Sequence, residues 1–73
     1  MIIINRGYLN RFYKTKTSYL YMVNRGIYLS FNIDTLEYTG IELFYLPFDY
    51  KSYQKDCDYT LNQLISKGIC EVI

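Results

Sequence analysis

The chain of 73 residues contains no histidine, no tryptophan and no alanine, and it has a single proline. Histidine is the usual general base near neutral pH, so its absence removes the commonest form of acid–base catalysis. The serines have no triad partner, and the two cysteines have no imidazole to raise their thiolate fraction. These absences predict a protein that is not an enzyme.

Carboxylate pairs are the remaining candidates for catalysis, and the best of them are Asp56 with Asp58 and Glu37 with Glu42. Residues two apart on a helix point away from each other, so we interpret Asp56 and Asp58 as solvated surface charges. The four glycines are isolated and form no phosphate-binding loop. With two cysteines and no histidine, we expect no metal site and no cofactor.

Long hydrophobic runs are also missing. The apolar stretch at residues 1–4 ends at Asn5, far short of the roughly 20 residues that a membrane-spanning helix needs. We therefore expect no signal peptide, no membrane span and a cytoplasmic location. Cys57 and Cys70 could form at most one disulfide. Because free cysteine behaves as a small hydrophobic residue, we expect both thiols to be reduced and to lie in the core.

Acidic residues are absent from the first 33 positions. Residues 1–33 have five lysines and arginines, a net charge of +5, whereas residues 34–73 have three lysines and seven acids, a net charge of −4. The basic half also contains many aromatic rings, which would suit binding to single-stranded nucleic acid. The same cations could instead keep sheet edges from aggregating. A third reading is that acids of the second half imitate nucleic-acid phosphates: Glu37, Glu42, Asp49, Asp56 and Asp58.

A strict alternation of apolar and polar side chains runs through residues 27–34. This period of two predicts a β-strand with one buried face, because a helix would scatter the apolar residues around its circumference. The residues predicted to be buried are Ile27, Leu29, Phe31 and Ile33. Those predicted to face solvent are Tyr28, Ser30, Asn32 and Asp34.

Other apolar, aromatic and β-branched runs predict further strands. They cover residues 2–4, 8–14, 18–23, 41–46 and 69–73. The tripeptide Asn-Arg-Gly occurs at residues 5–7 and 24–26, and we interpret both copies as hairpin turns, since Asn and Gly tolerate a positive φ. The run at residues 41–46 is nearly all apolar, which predicts burial on both faces until Pro47 ends the strand.

After Pro47 the apolar residues recur at steps of three and four, which predicts an amphipathic helix. Its apolar face would contain Tyr50, Tyr53, Cys57, Leu61, Leu64 and Ile65. Asp49 is a suitable N-cap and Gly68 a suitable C-terminal cap. The predicted fold class is α+β: an antiparallel sheet of about four to six strands, one C-terminal amphipathic helix packed on one face, and a short final strand. Residues 1–73 would form one small domain.

Ten tyrosines are more than a core of this size can bury, because each buried hydroxyl needs a hydrogen-bond partner. Exposed tyrosines supply large contact areas at low entropic cost, so we expect a Tyr-rich sheet surface to bind another protein. The predicted partner-binding residues are Tyr19, Tyr21, Tyr28, Tyr38, Arg11 and Arg25. Self-association into a homodimer is the simpler alternative.

The composition is rich in residues with AT-rich codons, and a short, Tyr-rich chain without catalytic groups resembles the class of small phage proteins that occlude a host or defence protein. This resemblance rests on size and composition, and it implies an inhibitor encoded by a phage or mobile element. Single-stranded nucleic-acid binding remains the main alternative function.

Overall fold

A computed structural model describes residues 1–44 and 50–73, except for the side chains of residues 50–52. The elements in chain order are β1 (Ile2–Ile4), a 3₁₀ helix (Arg6–Arg11), β2 (Tyr13–Lys14), β3 (Ser18–Asn24), β4 (Ile27–Asn32), β5 (Tyr38–Leu43), α1 (Tyr50–Ser66) and β6 (Cys70–Val72). Strands β2, β3, β4 and β5 form a four-stranded antiparallel sheet in that order, and β1 pairs with β6 in a second sheet. The predicted α+β class is confirmed, with the strands divided between two sheets.

The alternating segment forms β4, an inner strand of the four-stranded sheet, and its apolar side chains are buried as predicted: Ile27, Leu29 and Phe31. Ile33 is only half-buried, because it lies beyond the end of β4. There the side-chain oxygen of Asn32 accepts hydrogen bonds from the backbone amides of Asp34 and Thr35, at 2.8 and 2.9 Å. This side-chain turn ends the strand before Ile33 can continue the buried face.

The predicted C-terminal helix is confirmed as α1, which places Cys57 and Leu64 in the same hydrophobic core as β4. Tyr53, Leu61 and Ile65 pack against this core and are half-buried. The opposite face of α1 exposes Lys55, Asp58 and Asn62. The predictions for Pro47, Asp49 and the Tyr50 side chain lie outside the described residues.

Gly68 ends α1 in the way its position predicts. It has a φ of +75°, a left-handed conformation that favours glycine. Its amide donates to the carbonyl of Ile65 at 3.1 Å, and the amide of Ile69 donates to the carbonyl of Leu64 at 2.9 Å. This pair of hydrogen bonds is a Schellman motif, and Leu64 and Ile69 are both buried beside it.

The predicted strand at residues 8–14 is wrong except at Tyr13–Lys14, because residues 6–11 form a 3₁₀ helix. The amide of Phe12 donates to the carbonyl of Leu9 at 3.1 Å, an i to i+3 bond. One helical turn brings Tyr8, Leu9 and Phe12 towards the core together. Burial of these three side chains on one side favours the turn over an extended strand, which would split them between two faces.

The two Asn-Arg-Gly tripeptides have different structures. Residues 24–26 close the β3–β4 hairpin as predicted, and Gly26 has a φ of +80°. The predicted hairpin at residues 5–7 is wrong, because β1 pairs with β6 rather than with the segment that follows it. Asn5 instead bonds to the chain after α1, its amide to the carbonyl of Ile69 at 2.8 Å and its Nδ2 to the carbonyl of Gly68 at 3.1 Å.

Strand β5 begins three residues earlier than predicted, at Tyr38. The expectation of burial on both faces is wrong at Glu42 and Phe44, which are exposed, while Ile41 and Leu43 pack against the core. The rest of the predicted strand, residues 45–46, lies outside the described part of the chain.

The two cysteines are free and buried, in agreement with the expected reduced core thiols. Across the described ranges, 1–44 and 50–73, no helix combines the length and the apolar character needed to cross a membrane.

Candidate binding surface on the outer sheet face

The four-stranded sheet has an inner face, covered by α1, and an outer face on the other side. Side chains directly opposite each other on paired strands share a face. Tyr28 lies opposite Met22 of β3 and Glu42 of β5, and Tyr13 of β2 lies opposite Leu20. Since Tyr28 alternates with the buried residues of β4, all these side chains belong to the outer face.

Three aromatic rings form a row on the outer face, which we call the outer aromatic row: Tyr13, Tyr28 and Phe44. The Tyr28 ring lies between the other two, with its centroid 6.2 Å from that of Tyr13 and 5.2 Å from that of Phe44. Both pairs meet edge to face, at interplanar angles of 80° and 84°. This geometry is favoured by the ring quadrupoles and keeps the row together without help from α1.

Much of this row is open to solvent. Phe44 is 63% exposed, Tyr13 60% and the neighbouring Met22 47%, whereas Tyr28 is half-buried between its neighbours. Large apolar side chains exposed side by side are unusual on a protein that has no partner. The outer face therefore has the composition of the central part of a binding surface, in which aromatic residues and methionine are enriched.

Two side chains of the outer face are buried. Leu20 and Ser30 are directly opposite each other on β3 and β4, and both are buried although they point away from α1. The hydroxyl of Thr39 donates to the carbonyl of Ser30 at 3.1 Å, which ties β5 to β4 at this point. The outer face therefore combines buried side chains and hydrogen-bonded strands with exposed aromatic rings.

Of the predicted tyrosines, only Tyr28 lies on the outer face. Tyr19 and Tyr21 are opposite Phe31 and Leu29, so they lie on the inner face and pack against the core. Tyr38 also packs there, with its ring centroid 5.4 Å from that of Phe31. Burial raises the pKa of the Tyr38 hydroxyl, and the nearby Cys57 and Asp58 raise it further. The predicted tyrosines therefore do not form one surface.

The two predicted arginines are exposed. Arg11 ends the 3₁₀ helix, with its guanidinium carbon 5.6 Å from the centre of the Tyr8 ring. It also lines a groove that includes Tyr13 and Met22. Arg25 lies in the β3–β4 turn, where its amide donates to the side-chain oxygen of Asn24 at 2.8 Å. Both cations therefore lie close to the strands that carry the outer face.

The sequence predictions missed Tyr13, Met22 and Phe44. Met22 alternates with Leu20, and a hairpin closed at residues 24–26 brings it level with Tyr28, so strand pairing could have identified it. Phe44 was assigned to a strand buried on both faces, and Tyr13 to a strand over residues 8–14. Only the register of the sheet brings the three side chains to Tyr28.

The described acidic residues among those proposed to imitate phosphates lie on different elements of the fold. Glu42 is on the outer face, whereas Asp56 and Asp58 are exposed on α1, which covers the inner face. Glu37 is half-buried and forms an isolated bridge with Ile3. Asp49 lies outside the described residues. The four described carboxylates therefore lie on both sides of the sheet and not on one surface, and this arrangement gives no support to mimicry.

Comparison with models of protein families, with curated proteins and with solved structures finds no match for this chain. The comparisons therefore indicate no function, and a proposed function has to rest on the structure of the outer face.

Proposed function

We propose that this protein is a small, non-enzymatic, cytoplasmic binding module that recognises another protein through the outer face of its sheet. The observation that carries the proposal is the exposure of Tyr13, Met22 and Phe44 around the half-buried Tyr28. Aromatic anchors held rigidly before binding lose little conformational entropy when a partner covers them. A partner that buried this row would remove large apolar area from water.

Single-stranded nucleic acid is the second candidate, because Arg11 lines a groove that includes Tyr13 and could neutralise phosphates, with Arg25 of the β3–β4 turn as a second cation. Two features favour a protein partner instead. In the edge-to-face pairs, the edge of one ring points at the face of its neighbour, which reduces the ring area on which a base could stack. Glu42 is directly opposite Tyr28 and would repel a phosphate backbone laid across the row.

The narrower proposal is that the protein is a phage or mobile-element inhibitor that occludes a host or defence protein. Its support is the small size, the Tyr-rich composition and a surface suited to covering a partner. It predicts that the purified protein lowers the activity of the partner in a stoichiometric manner, and that a Phe44→Ser variant does so only at higher concentration.

The test is a pull-down from lysate of the cells that express the protein, using wild type and two matched variants. Phe44→Ser removes an exposed ring of the outer aromatic row, and Tyr59→Ser removes an equally exposed ring on α1. We expect Phe44→Ser to weaken capture of a specific partner at least tenfold, the effect of losing a central aromatic anchor. Tyr59→Ser should capture the partner as wild type does.

Three results would contradict the proposal. Equal capture by both variants would exclude the outer face as the binding surface. Tight binding of a thymidine oligonucleotide, weakening steeply as salt is added, would favour the nucleic-acid alternative. A dimer in solution that dissociates in the Phe44→Ser variant, with no other protein captured, would mean that the row serves self-association.

A further inference from the structure

Strand β3 is paired along only part of one edge. On the side of β2 the pairing ends at Tyr13 and Leu20, whereas on the side of β4 it continues to Asn24. In the described part of the chain, no strand pairs with β3 beyond Leu20 on the β2 side. A groove of about 470 Å³ lies along this open edge, between β3 and the end of the 3₁₀ helix. It is lined by Asn10, Arg11, Phe12, Tyr13, Tyr21 and Met22.

The register decides which backbone groups face this groove. The amide of Thr15 donates to the carbonyl of Ser18 at 2.8 Å, so Ser18 directs its backbone groups towards β2. Successive residues of a strand alternate in this respect, and Leu20 and Met22 therefore direct theirs the same way. Leu20 is paired with β2, but Met22 lies past the end of that pairing. The N–H and C=O of Met22 are thus presented to the groove, as they would be to an incoming strand.

The charges beside this edge have one sign. Arg11 lines the groove, and Arg25 follows the last residue of β3. Residues 1–33, which include β2, β3 and the 3₁₀ helix, contain no acid. Glu42 is on β5, two strand spacings away from β3, or about 10 Å. An extended segment with acidic side chains would therefore meet cations beside this edge.

We propose that the open edge of β3 binds an extended acidic segment of the partner protein as an added strand, with Met22 supplying the backbone hydrogen bonds and Arg11 and Arg25 the charge complementarity. This inference rests on the proposed function, since it names the kind of segment that the partner contributes. Strand addition to a sheet edge is a common mode of peptide recognition, in which main-chain bonds give affinity and side-chain contacts give specificity.

The probe is a synthetic, end-capped octapeptide of alternating glutamate and valine, titrated into the ¹⁵N-labelled protein. At a free peptide concentration ten times Kd, we expect exchange of the Met22 amide hydrogen to slow about tenfold. Arg11→Gln and Arg25→Gln should each weaken peptide binding about two- to fivefold, as expected for exposed ion pairs. Tyr59→Ser, which removes an exposed ring on α1, should leave peptide affinity unchanged.

Two control peptides isolate the mechanism. A lysine–valine octapeptide keeps the backbone groups but reverses the charge, and an N-methylated glutamate–valine octapeptide keeps the charge but blocks strand pairing. Neither should slow Met22 exchange. Equal binding of the lysine peptide, or of the N-methylated peptide, would overturn the inference, as would unchanged Met22 exchange with the first peptide. Protection of Met22 without peptide, rising with protein concentration, would overturn it in favour of pairing with a second copy.

The outcomes separate this inference from the proposed function. If Phe44→Ser loses the captured partner while no peptide protects Met22, the outer face is the binding surface and the edge is not used. If the acidic peptide protects Met22 while Phe44→Ser captures partners normally, the edge is used and the proposed role of the outer face is wrong.

Discussion

The ring of Tyr28 meets the ring of Phe44 edge to face, with the two centroids 5.2 Å apart. Tyr28 also contacts Tyr13 and is half-buried, whereas Phe44 remains largely exposed. The same contact therefore joins a residue that supports the sheet to one that is free to meet a partner. Variants of Tyr28 therefore test stability, and variants of Phe44 test binding.

Replacing Tyr28 by serine should destabilise the protein more than replacing Phe44. Tyr28→Ser removes two edge-to-face contacts, each worth about 0.5–1.5 kcal/mol, so we expect the free energy of unfolding to fall by about 1–3 kcal/mol. Phe44→Ser removes one contact of an exposed ring and should cost less than about 1.5 kcal/mol. Urea denaturation followed by circular dichroism measures both, and equal losses would contradict the arrangement of the row.

Phe31 is the most consequential side chain of the core. It has no exposed surface, and its ring contacts Phe12 and Tyr38 with centroid distances of 5.4 Å in both cases. Phe31→Ala should cost about 3–5 kcal/mol, a large part of the stability of so short a chain. Ile33→Ala is the matched control, because Ile33 lies beyond the strand and is half-buried, and its cost should be at most about 2 kcal/mol. Thermal unfolding would compare the two, and a loss for Ile33→Ala as large as that for Phe31→Ala would show that the core extends past the end of β4.

Gly68 and Gly7 should respond differently to alanine. A Cβ at either position would meet no heavy atom within 4 Å beyond the local chain, so steric contact does not distinguish them. Gly68 has a φ of +75°, which costs an alanine about 1–2 kcal/mol, whereas Gly7 has no positive φ. Gly68→Ala should therefore destabilise the protein, and Gly7→Ala should be neutral or stabilise it by up to about 1 kcal/mol, because alanine restricts the unfolded chain. The two midpoints of urea unfolding test this, and a stabilising Gly68→Ala would refute the cap.

Stability should decline in alkaline solution because of Cys70. Burial raises the pKa of its thiol from 9.0 to about 11. The folded state thus holds the thiol proton more tightly than the unfolded state does, and the resulting stabilisation is fully present below pH 9 and lost as the pH rises through 11. The difference between 9.0 and about 11 corresponds to about 2–3 kcal/mol of stability.

Burial also raises the pKa values of the Cys57 thiol and the Tyr38 hydroxyl, which act in the same direction. The measurement is the free energy of unfolding between pH 8 and 11 for wild type and Cys70→Val. The variant should show a shallower decline, since it lacks one titrating group. Identical slopes would show that Cys70 does not contribute.

The amino-acid sequence by itself determined the elements whose side chains repeat with a clear period. The alternation along residues 27–32 specified β4 and its buried face, and the steps of three and four before Gly68 specified α1 and its end. In both elements the local pattern and the core agree, because the period of the backbone places the residues of the apolar stripe on one side.

The tertiary structure decided everything that depends on which segments meet. The sequence is compatible with either a strand or a helical turn at Tyr8, Leu9 and Phe12. The helical turn forms because it places all three side chains against the core. The partner of β1 is β6, nearly the whole chain away, which no local signal indicates.

The candidate surface was decided in the same way. A sequence shows which tyrosines alternate, but the strand register determines which face each one occupies. The register places Tyr19 and Tyr21 on the inner face of the sheet. It places Tyr13 and Phe44 beside Tyr28 on the outer face. Register depends on long-range pairing, and a shift of one residue exchanges the two faces of a strand.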